Sequence, residues 1–489
     1  MFRLSFILNI RPSSRQIIYS SRFTHSIYPL TIREVYDKKP LNQSINLIGY
    51  LLNARKLKTH YFLDLFDGSL TNNQKHLQVV ASFNNHPDLP HLTYGCSINV
   101  QGKFVQSNHP KQEFELQAET ISLINSSDAS NYPFKPNAEQ TLLMLRKDEH
   151  LRLRSPLAQV VFRLRSQLMF SLYEYFYKHN FVQIQTPCLT RNDCEGGGET
   201  FRIQPYKSHK TQAEKEYFND QVYLTVSGQL HLETAANGFG RAYTLNPAFR
   251  ADKNLSRFHL AEFWMLEVEV AGTYNYLNFV CFTKLDQLLN AYIDLLRTLA
   301  IDIYSKCSEE FKYLIKNNIQ STHIDRFLQQ NDYPRISYEE AVNYLRNSVD
   351  FHNFPDDGDF TRAHENYLCQ TIMNNQAFFI INYPKKLKPF YMSINDDDAT
   401  VANFDFIFPS IGELSGGSLR EHRFENLKLR LDEFDLTHDL QWYLDLRRFG
   451  GMPTGGFGLG IERFLMAITG IDNVRDVILF PRYYQHCDG

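Results

Sequence analysis

Apolar and polar residues alternate with period two through the first third of this chain, and then give way to apolar residues at helical spacing. Between residues 45 and 125 five segments alternate in this way: INLIGYLLNAR, HYFLDLFDGS, HLQVVASF, CSINVQGKFVQ and EFELQAETISLI. Five short strands separated by turn residues, with no helix dominating, predict a small β-barrel of the OB type over residues 34–130. Residues 131–150 read as a hinge, with TLLMLRKDEH as a connecting helix. Beyond it, PLAQVVFRLRSQLMFSLYEYFYKHN is helical, and FVQIQTPCL follows as a strand stopped by Pro187. Residues 275–380 are helix-rich and predict a helical insertion. Strand character returns in QAFFIINYP, FYMSIN, VANFDFIFP and IGELSGG, and a helix from about Glu421 precedes GGMPTGGFGLGIERFLMAITG. The fold class is therefore α+β, with a barrel in front of a larger sheet-and-helix domain over 151–489.

The stretch FRADKNLSRFHLAEFWMLEVE, from Phe249 to Glu269, predicts a hairpin with its loop over Asp252–Arg257. Alternation puts Phe263, Met265, Glu267 and Glu269 on one face and Trp264, Leu266, Val268 and Val270 on the other. One face is apolar, and the other combines an aromatic ring with two carboxylates. In GGFGLGIERF the glycines at 456, 458 and 460 strip one strand face of side chains before a helix begins near Ile461. A planar ring fits such a slot, with Phe263 as an aromatic floor and the Arg463 guanidinium over the other face.

Composition narrows the class. The chain has 489 residues, 43% of them hydrophobic and 21% charged, and no apolar run approaches the ~20 residues of a membrane span. Its seven cysteines are scattered without a CxxC pair, which excludes a zinc ribbon or a disulfide scaffold. Residues 1–33 carry Arg3, Arg11, Arg15, Arg22 and Arg33 with no acid before Glu34, the composition of a mitochondrial targeting segment and so of a matrix protein. Without those arginines the formal charge moves from −3 to −8. Any nucleic-acid contact must then use local positive surface.

The hairpin, the GELSGGSLR strand and the glycine-rich strand and helix, in this order, resemble motifs 2 and 3 and the strand between them in class II aminoacyl-tRNA synthetases. The barrel in front and the EGGGE loop resemble the subgroup that handles aspartate, asparagine and lysine. TVSGQLHLE, AEFWMLEVE, YPKKLKPFYM, GELSGGSLREHR and YLDLRRFG are similar to its asparagine-specific branch. The resemblance implies ATP-dependent ligation of L-asparagine to tRNA(Asn) through an asparaginyl-adenylate, by a homodimer assembled through the motif 1 helix. An aspartate-accepting or non-discriminating ligase on the same scaffold is the alternative. The adenylation it implies needs phosphate charge offset and reactants held in line. Arg250 is implied at the α-phosphate, Arg463 and Phe263 at the adenine, and Glu413 with Asp405 as carboxylates for Mg²⁺. Asp252, His259 and Arg257 belong to the ATP or acceptor-end side.

The resemblance also implies Glu195 and Gln229, with Glu199, at the α-amino end of the amino acid, and Glu267 and Arg420 at its side chain. A carboxamide needs one donor and one acceptor, which Arg420 and Glu267 provide, whereas aspartate would press a carboxylate against Glu267. Aspartate-specific relatives carry a lysine where this chain has Leu232, and aspartate where Glu267 stands. In the barrel, Phe62 and Gln78 are implied as anticodon contacts, by stacking and base-edge hydrogen bonding. Two positions depart from the pattern. Relatives usually read FRAE where this chain has Asp252, and NFPDDGDF replaces a Trp-Gly-containing turn.

Overall fold

A computed structural model describes residues 28–488, apart from 58, 71–75, 87–88, 90–91, 111, 135–139, 192–199, 205–216, 219, 276–277, 281–283, 320–321 and 331. The chain divides after residue 136 into two compact units. In the first, β1 (Ser44–Leu57), β2 (His60–Phe66), β3 (Leu77–Ser82), β4 (Ser97–Gln106) and β5 (Phe114–Asn125) close into a barrel in the order β1-β2-β3-β5-β4. Alternation sets the two faces: Leu47, Leu63, Leu65, Val79 and Val100 fill the interior, and the residues between them point outward.

The barrel starts earlier than expected. Helix α1 (Ile32–Lys38) is opened by a capping box in which Thr31 and Glu34 satisfy each other's backbone N–H groups. Its Ile32 and Val35 are completely buried in the barrel core. Residues 31–33, expected within the leader, are therefore part of the folded barrel unit, because Ile32 has an apolar site to fill. Residues 1–27 of that expected leader lie outside the described residues.

The second unit is built on an eight-stranded sheet. Its strands are β6 (Val182–Gln183), β7 (Arg241–Phe249), β8 (Glu262–Ala271), β9 (Arg335–Ser337), β10 (Phe378–Ile381), β11 (Asn403–Phe408), β12 (Gly412–Leu419) and β13 (Thr454–Gly460). They run in the order β9-β10-β11-β12-β13-β8-β7-β6. The two outermost pairs are parallel and the rest antiparallel. Helix α2 (Pro156–Lys178) precedes β6, and α3 (Gln229–Phe239) precedes β7. FVQIQTPCL yields the two-residue β6 and the first residue of a separate short strand, Leu189–Thr190, which pairs with Tyr223–Leu224. FYMSIN makes isolated bridges, Met392 to Arg420 and Ile394 to Val401, and no strand.

The region read as an insertion is structural. Helix α4 (Leu285–Lys306) lays an apolar stripe on the back of the sheet, and its fully buried Tyr292 packs among Phe379, Phe404, Phe406 and Phe457 at 5.0–6.2 Å between ring centroids. The same region supplies β9 and β10, so 275–380 is part of the sheet and its cover. After Glu421 two helices form, Phe424–Glu433 and Gln441–Arg448. Among the described residues no helix is long and apolar enough to cross a membrane.

Candidate active site

The expected hairpin is present: β7 and β8 pair from Phe249 and Glu262 to Arg241 and Val270. β13 lies on the other side of β8, with Glu267 opposite Gly458 and Glu269 opposite Gly456. The odd-numbered face of β8 thus looks onto the glycine face of β13 across adjacent strands. The three glycines do not serve one purpose. A Cβ at 456 would stand 2.1 Å from a Glu269 carboxylate oxygen and 2.9 Å from Arg420 Nη2, so Gly456 admits that pair and no ligand. At 458 a Cβ meets only the Met265 methyl at 2.9 Å, and at 460 the nearest atom is Arg463 Cβ at 3.9 Å. The flat slot expected over all three therefore lies over Gly458 and Gly460 alone.

Two pockets adjoin along this floor. Arg250, Asp252, His259, Phe263, Glu413 and Arg463 line the first, so the six residues assigned to ATP converge on one cavity. Gln229, Glu267, Arg420 and Asp405 line the second. Arg250, Met265, Glu413, Gly416 and Gly458 border both. In the first, the Arg250 guanidinium sits 5.6 Å from the Phe263 ring centroid, and Arg463, in helix α6 (Ile461–Thr469), donates from Nη1 to the Glu413 carbonyl at 2.8 Å. His259 Nδ1 lies 2.5 Å from Ser256 Oγ. Burial, followed by the charge of Arg463, lowers the pKa of His259, which keeps the ring neutral at neutral pH.

The carboxylates converge beside Gly416. A Cβ there would stand 3.3 Å from Asp405 Oδ1 and 3.5 Å from Glu413 Oε1. Protein packed around its carboxylate, then the neighbouring Asp405, raises Glu413, whose side chain still opens to solvent; burial, then Glu413, pushes Glu365 up to about 7. Crowded acids beside two arginines make an oxygen donor set that suits Mg²⁺ shared with phosphate oxygens. Lys388 occupies the other Asp405 oxygen, Nζ to Oδ2 at 2.7 Å, and lies 3.9 Å from the Tyr383 ring centroid. Among the described residues no group of three or more His, Cys, Asp or Glu side chains is placed to hold a metal ion.

In the second pocket, Glu267 is buried, accepting from the Ser227 hydroxyl and from the Gly228 N–H at 2.8 Å. Arg420 is also buried. It is held by Glu269, Nε to Oε1 at 3.0 Å and Nη2 to Oε2 at 2.8 Å, and donates from Nη1 to Ser418 Oγ at 2.6 Å. The reading of Arg420 as a donor to the amino acid thus acquires a fixed partner, and Glu269 is an anchoring residue that sequence reasoning left without a role. Gln229 Nε2 is buried without a hydrogen-bond partner among the described residues. Leu232 is fully buried in a small core with Ala236, Ala242 and Ala271. Glu195 and Glu199, with the three glycines between them, lie outside the described residues.

Three further residues went unread. Lys388 sits in YPKKLKPFYM, a segment noticed only for its resemblance. Helix α5 (Arg362–Tyr367) lies within the supposed insertion, where no catalytic spacing is visible. Its Glu365 accepts from the Glu413 N–H at 3.2 Å, and its Arg362 lies 3.3 Å from the Phe258 ring centroid. Both act through tertiary contact, which leaves no local pattern.

In the barrel unit, Phe62 and Gln78 both stand half-buried on the outer face. β2 and β3 place Phe62 opposite Val80 and Asp64 opposite Gln78, making them diagonal neighbours. Tyr61 and Leu63, on either side of Phe62, take the core positions.

The family model for tRNA synthetases class II (D, K and N) matches residues 142–484. The asparaginyl-tRNA synthetase of Mus musculus is 40% identical over 452 residues, covering 91% of each chain. The asparagine–tRNA ligase of Nitratidesulfovibrio vulgaris is 37% identical over 450 residues, 90% of this chain and 95% of that protein. Among solved structures, asparaginyl-tRNA synthetase from Pyrococcus horikoshii complexed with asparaginyl-adenylate superposes with a TM-score of 0.79 at 27% identity, covering 94% and 98% of the two chains.

Proposed function

The chain belongs to the class II tRNA synthetases of the D, K and N group, and from that premise we propose that it joins L-asparagine to tRNA(Asn) through an asparaginyl-adenylate made from ATP. The observation that carries this reading is the common wall of the two pockets. Arg250 and Glu413 border both, so an amino acid in one presents its carboxylate to a nucleotide phosphate in the other.

In the first step a carboxylate oxygen of asparagine forms a bond to the α-phosphorus of ATP while the bond to the departing pyrophosphate breaks. No proton needs to move, so no general base is required. Arg250 offsets charge at the α-phosphate, and Phe263 with Arg463 holds the adenine over Gly458 and Gly460. Glu413 and Asp405 would hold Mg²⁺, which when bound offsets the charge of the outer phosphates. In the second step the 3′-hydroxyl oxygen of the terminal adenosine of tRNA bonds to the acyl carbon, the bond from that carbon to the phosphate oxygen breaks, and AMP leaves, its phosphate taking up the hydroxyl proton. Glu267 accepts from the substrate carboxamide NH₂ and Arg420 donates to its oxygen. Aspartate in the same place sets a carboxylate against Glu267, which supports discrimination on the order of 10²-fold or more.

Phe62 and Gln78 take the anticodon loop, and Gln229 and Glu195 take the α-amino end. The chain acts as a homodimer, a reading supported by Phe170, Tyr173 and Tyr177, which form one exposed stripe on α2. It serves the mitochondrial matrix, a reading supported by five arginines and no acid in residues 1–33; a fluorescent fusion to residues 1–30 tests that location. The ligase reading is tested by amino-acid-dependent exchange of pyrophosphate into ATP with asparagine and aspartate in parallel. Exchange with asparagine alone is expected. Exchange with aspartate, or with neither, overturns the assignment.

A further inference from the structure

The carboxy-terminal segment YYQHCD (483–488) takes no part in the chemistry described above, yet it is folded against the loop that carries Arg250, Asp252 and His259. Residues 250–261 connect β7 to β8 outside the sheet ladder, and their tip at Lys253–Leu255 is exposed. Such a loop keeps its side chains aimed only if its backbone is tied down from elsewhere.

The ties come from the end of the chain. The Val474 N–H donates to the Arg257 carbonyl at 2.9 Å, and the Ala261 N–H donates to the Arg482 carbonyl at 2.6 Å. Ala261 in turn accepts from the Arg250 N–H at 3.0 Å, so Arg482 backs the strand end that presents Arg250. At the tip, Arg475 Nη2 donates to the Leu255 carbonyl at 3.1 Å. The Arg475 guanidinium lies 3.7 Å from the centroid of the Tyr483 ring, and the His486 ring stacks on Tyr483 at 4.4 Å and 17°. Reciprocal backbone bonds between Tyr483 and His486, at 3.2 and 2.8 Å, close the turn that builds this stack. His486 Nε2 is fixed by Glu149 Oε1 at 3.2 Å, and Arg482 Nη1 by the Asp488 carbonyl at 2.6 Å.

We propose that Tyr483 is a positioning residue for adenylate formation: its ring is the platform on which the Arg475 guanidinium rests, holding the tip of the ATP-binding loop through the Leu255 carbonyl. The ring face is the essential feature. A guanidinium on a π-face is restrained in a plane that leaves its N–H groups pointing outward, here toward Leu255. Without the ring Arg475 keeps its charge and loses its orientation, and the loop bearing Arg250, Asp252 and His259 drifts from the nucleotide. The amino acid pocket is lined from β8, β11, β12, β13, the start of α3 and residues 387–392, and takes only Arg250 from this loop. The effect therefore falls on ATP and spares asparagine.

The inference rests on the ligase reading, and the full-length chain separates the two. If the unaltered protein catalyses no asparagine-dependent pyrophosphate exchange, the ligase reading fails and the variants are uninformative about anything but stability. Given exchange, Tyr483→Ala is expected to raise the KM for ATP about tenfold while the KM for asparagine stays within about twofold, and Tyr483→Phe is expected to match the parent. An unchanged KM for ATP in Tyr483→Ala overturns the proposal, whatever happens to its melting temperature. So does a parallel rise in both KM values, or a Phe variant as impaired as the Ala variant. If Tyr483→Ala does not fold, Arg475→Lys gives the same reading, since it keeps the charge and loses the planar fork; it must raise the KM for ATP selectively or the proposal is wrong.

Discussion

At the scale of single residues, the site depends on which polar atoms are already committed. Both oxygens of Glu267 accept hydrogen bonds, from Ser227 and Gly228, and these fix the carboxylate before any substrate arrives. Glu267→Gln turns one of those oxygens into an NH₂ facing a donor. Asparagine-dependent exchange should fall on the order of 10²-fold, and rejection of aspartate should relax, because the repelling charge is gone. If exchange with asparagine is undiminished and aspartate is still refused, Glu267 does not select the amino acid. The glycines separate structure from binding in the same way. Gly456→Ala sets a methyl group against Glu269 and the Val268 carbonyl and should cost about 1–3 kcal/mol in chemical denaturation. Gly460→Ala meets nothing within 3.8 Å, so the protein should fold normally and lose ATP affinity about tenfold in equilibrium titration, because the slot is filled. Equal stability losses at the two positions would contradict this division.

At the scale of elements, strand alternation was legible wherever one face is buried and the other is not. The five barrel strands meet that condition, whereas the hairpin and the glycine strand, buried on both faces over much of their length, were legible from aromatic and β-branched content and from the glycine repeat. Elements buried on both sides carry no such signal. The phenylalanine-rich β10 and β11 are covered on both faces, and α4 showed its one buried stripe without showing which surface that stripe covers, so their sequence showed helix and strand without showing that they belong to one layered unit. Glu365, Arg362 and Lys388 were invisible for a related reason: each reaches the site from an element whose local pattern describes only its own packing. The start of the barrel was misplaced because arginine content dominated the reading of residues 28–33, while the cap formed by Thr31 and the burial of Ile32 require the fold to be seen. This makes a clean truncation experiment. A chain beginning at Tyr28 should melt like the full-length protein. One beginning at Glu34 loses the Thr31 cap, worth about 1 kcal/mol, and the burial of Ile32, worth about 1.5–3 kcal/mol, and its barrel should melt several degrees lower. Identical melting of the two would show that the Thr31 cap and Ile32 add nothing to the barrel.

At the scale of the whole molecule, α2 is apolar on two sides. Val161, Leu164, Leu168 and Leu172 are buried in the protein's own core, whereas Phe170, Tyr173 and Tyr177, spaced three and four residues apart, form a second stripe that is 62%, 41% and 84% exposed. A helix with one solvated face has no use for three aromatic rings on it, and a contiguous apolar stripe marks an interaction surface. β6, the strand that follows α2, ends the sheet, and its Val182 is exposed as well. An apolar helix face beside an open sheet edge suits a second copy related by a two-fold axis, because each copy then covers the other's stripe with its own. Each aromatic side chain buried in that way contributes about 1.5–3 kcal/mol, and the two-fold axis counts every residue twice. Replacing Phe170 and Tyr177 by glutamate therefore removes four buried rings and sets like charges against each other, and should weaken self-association by at least about 10⁴-fold. Sedimentation velocity at micromolar concentration should show a dimer for the parent and a monomer for the double variant. A parent that sediments as a monomer, or a double variant that remains a dimer, would exclude α2 as the interface.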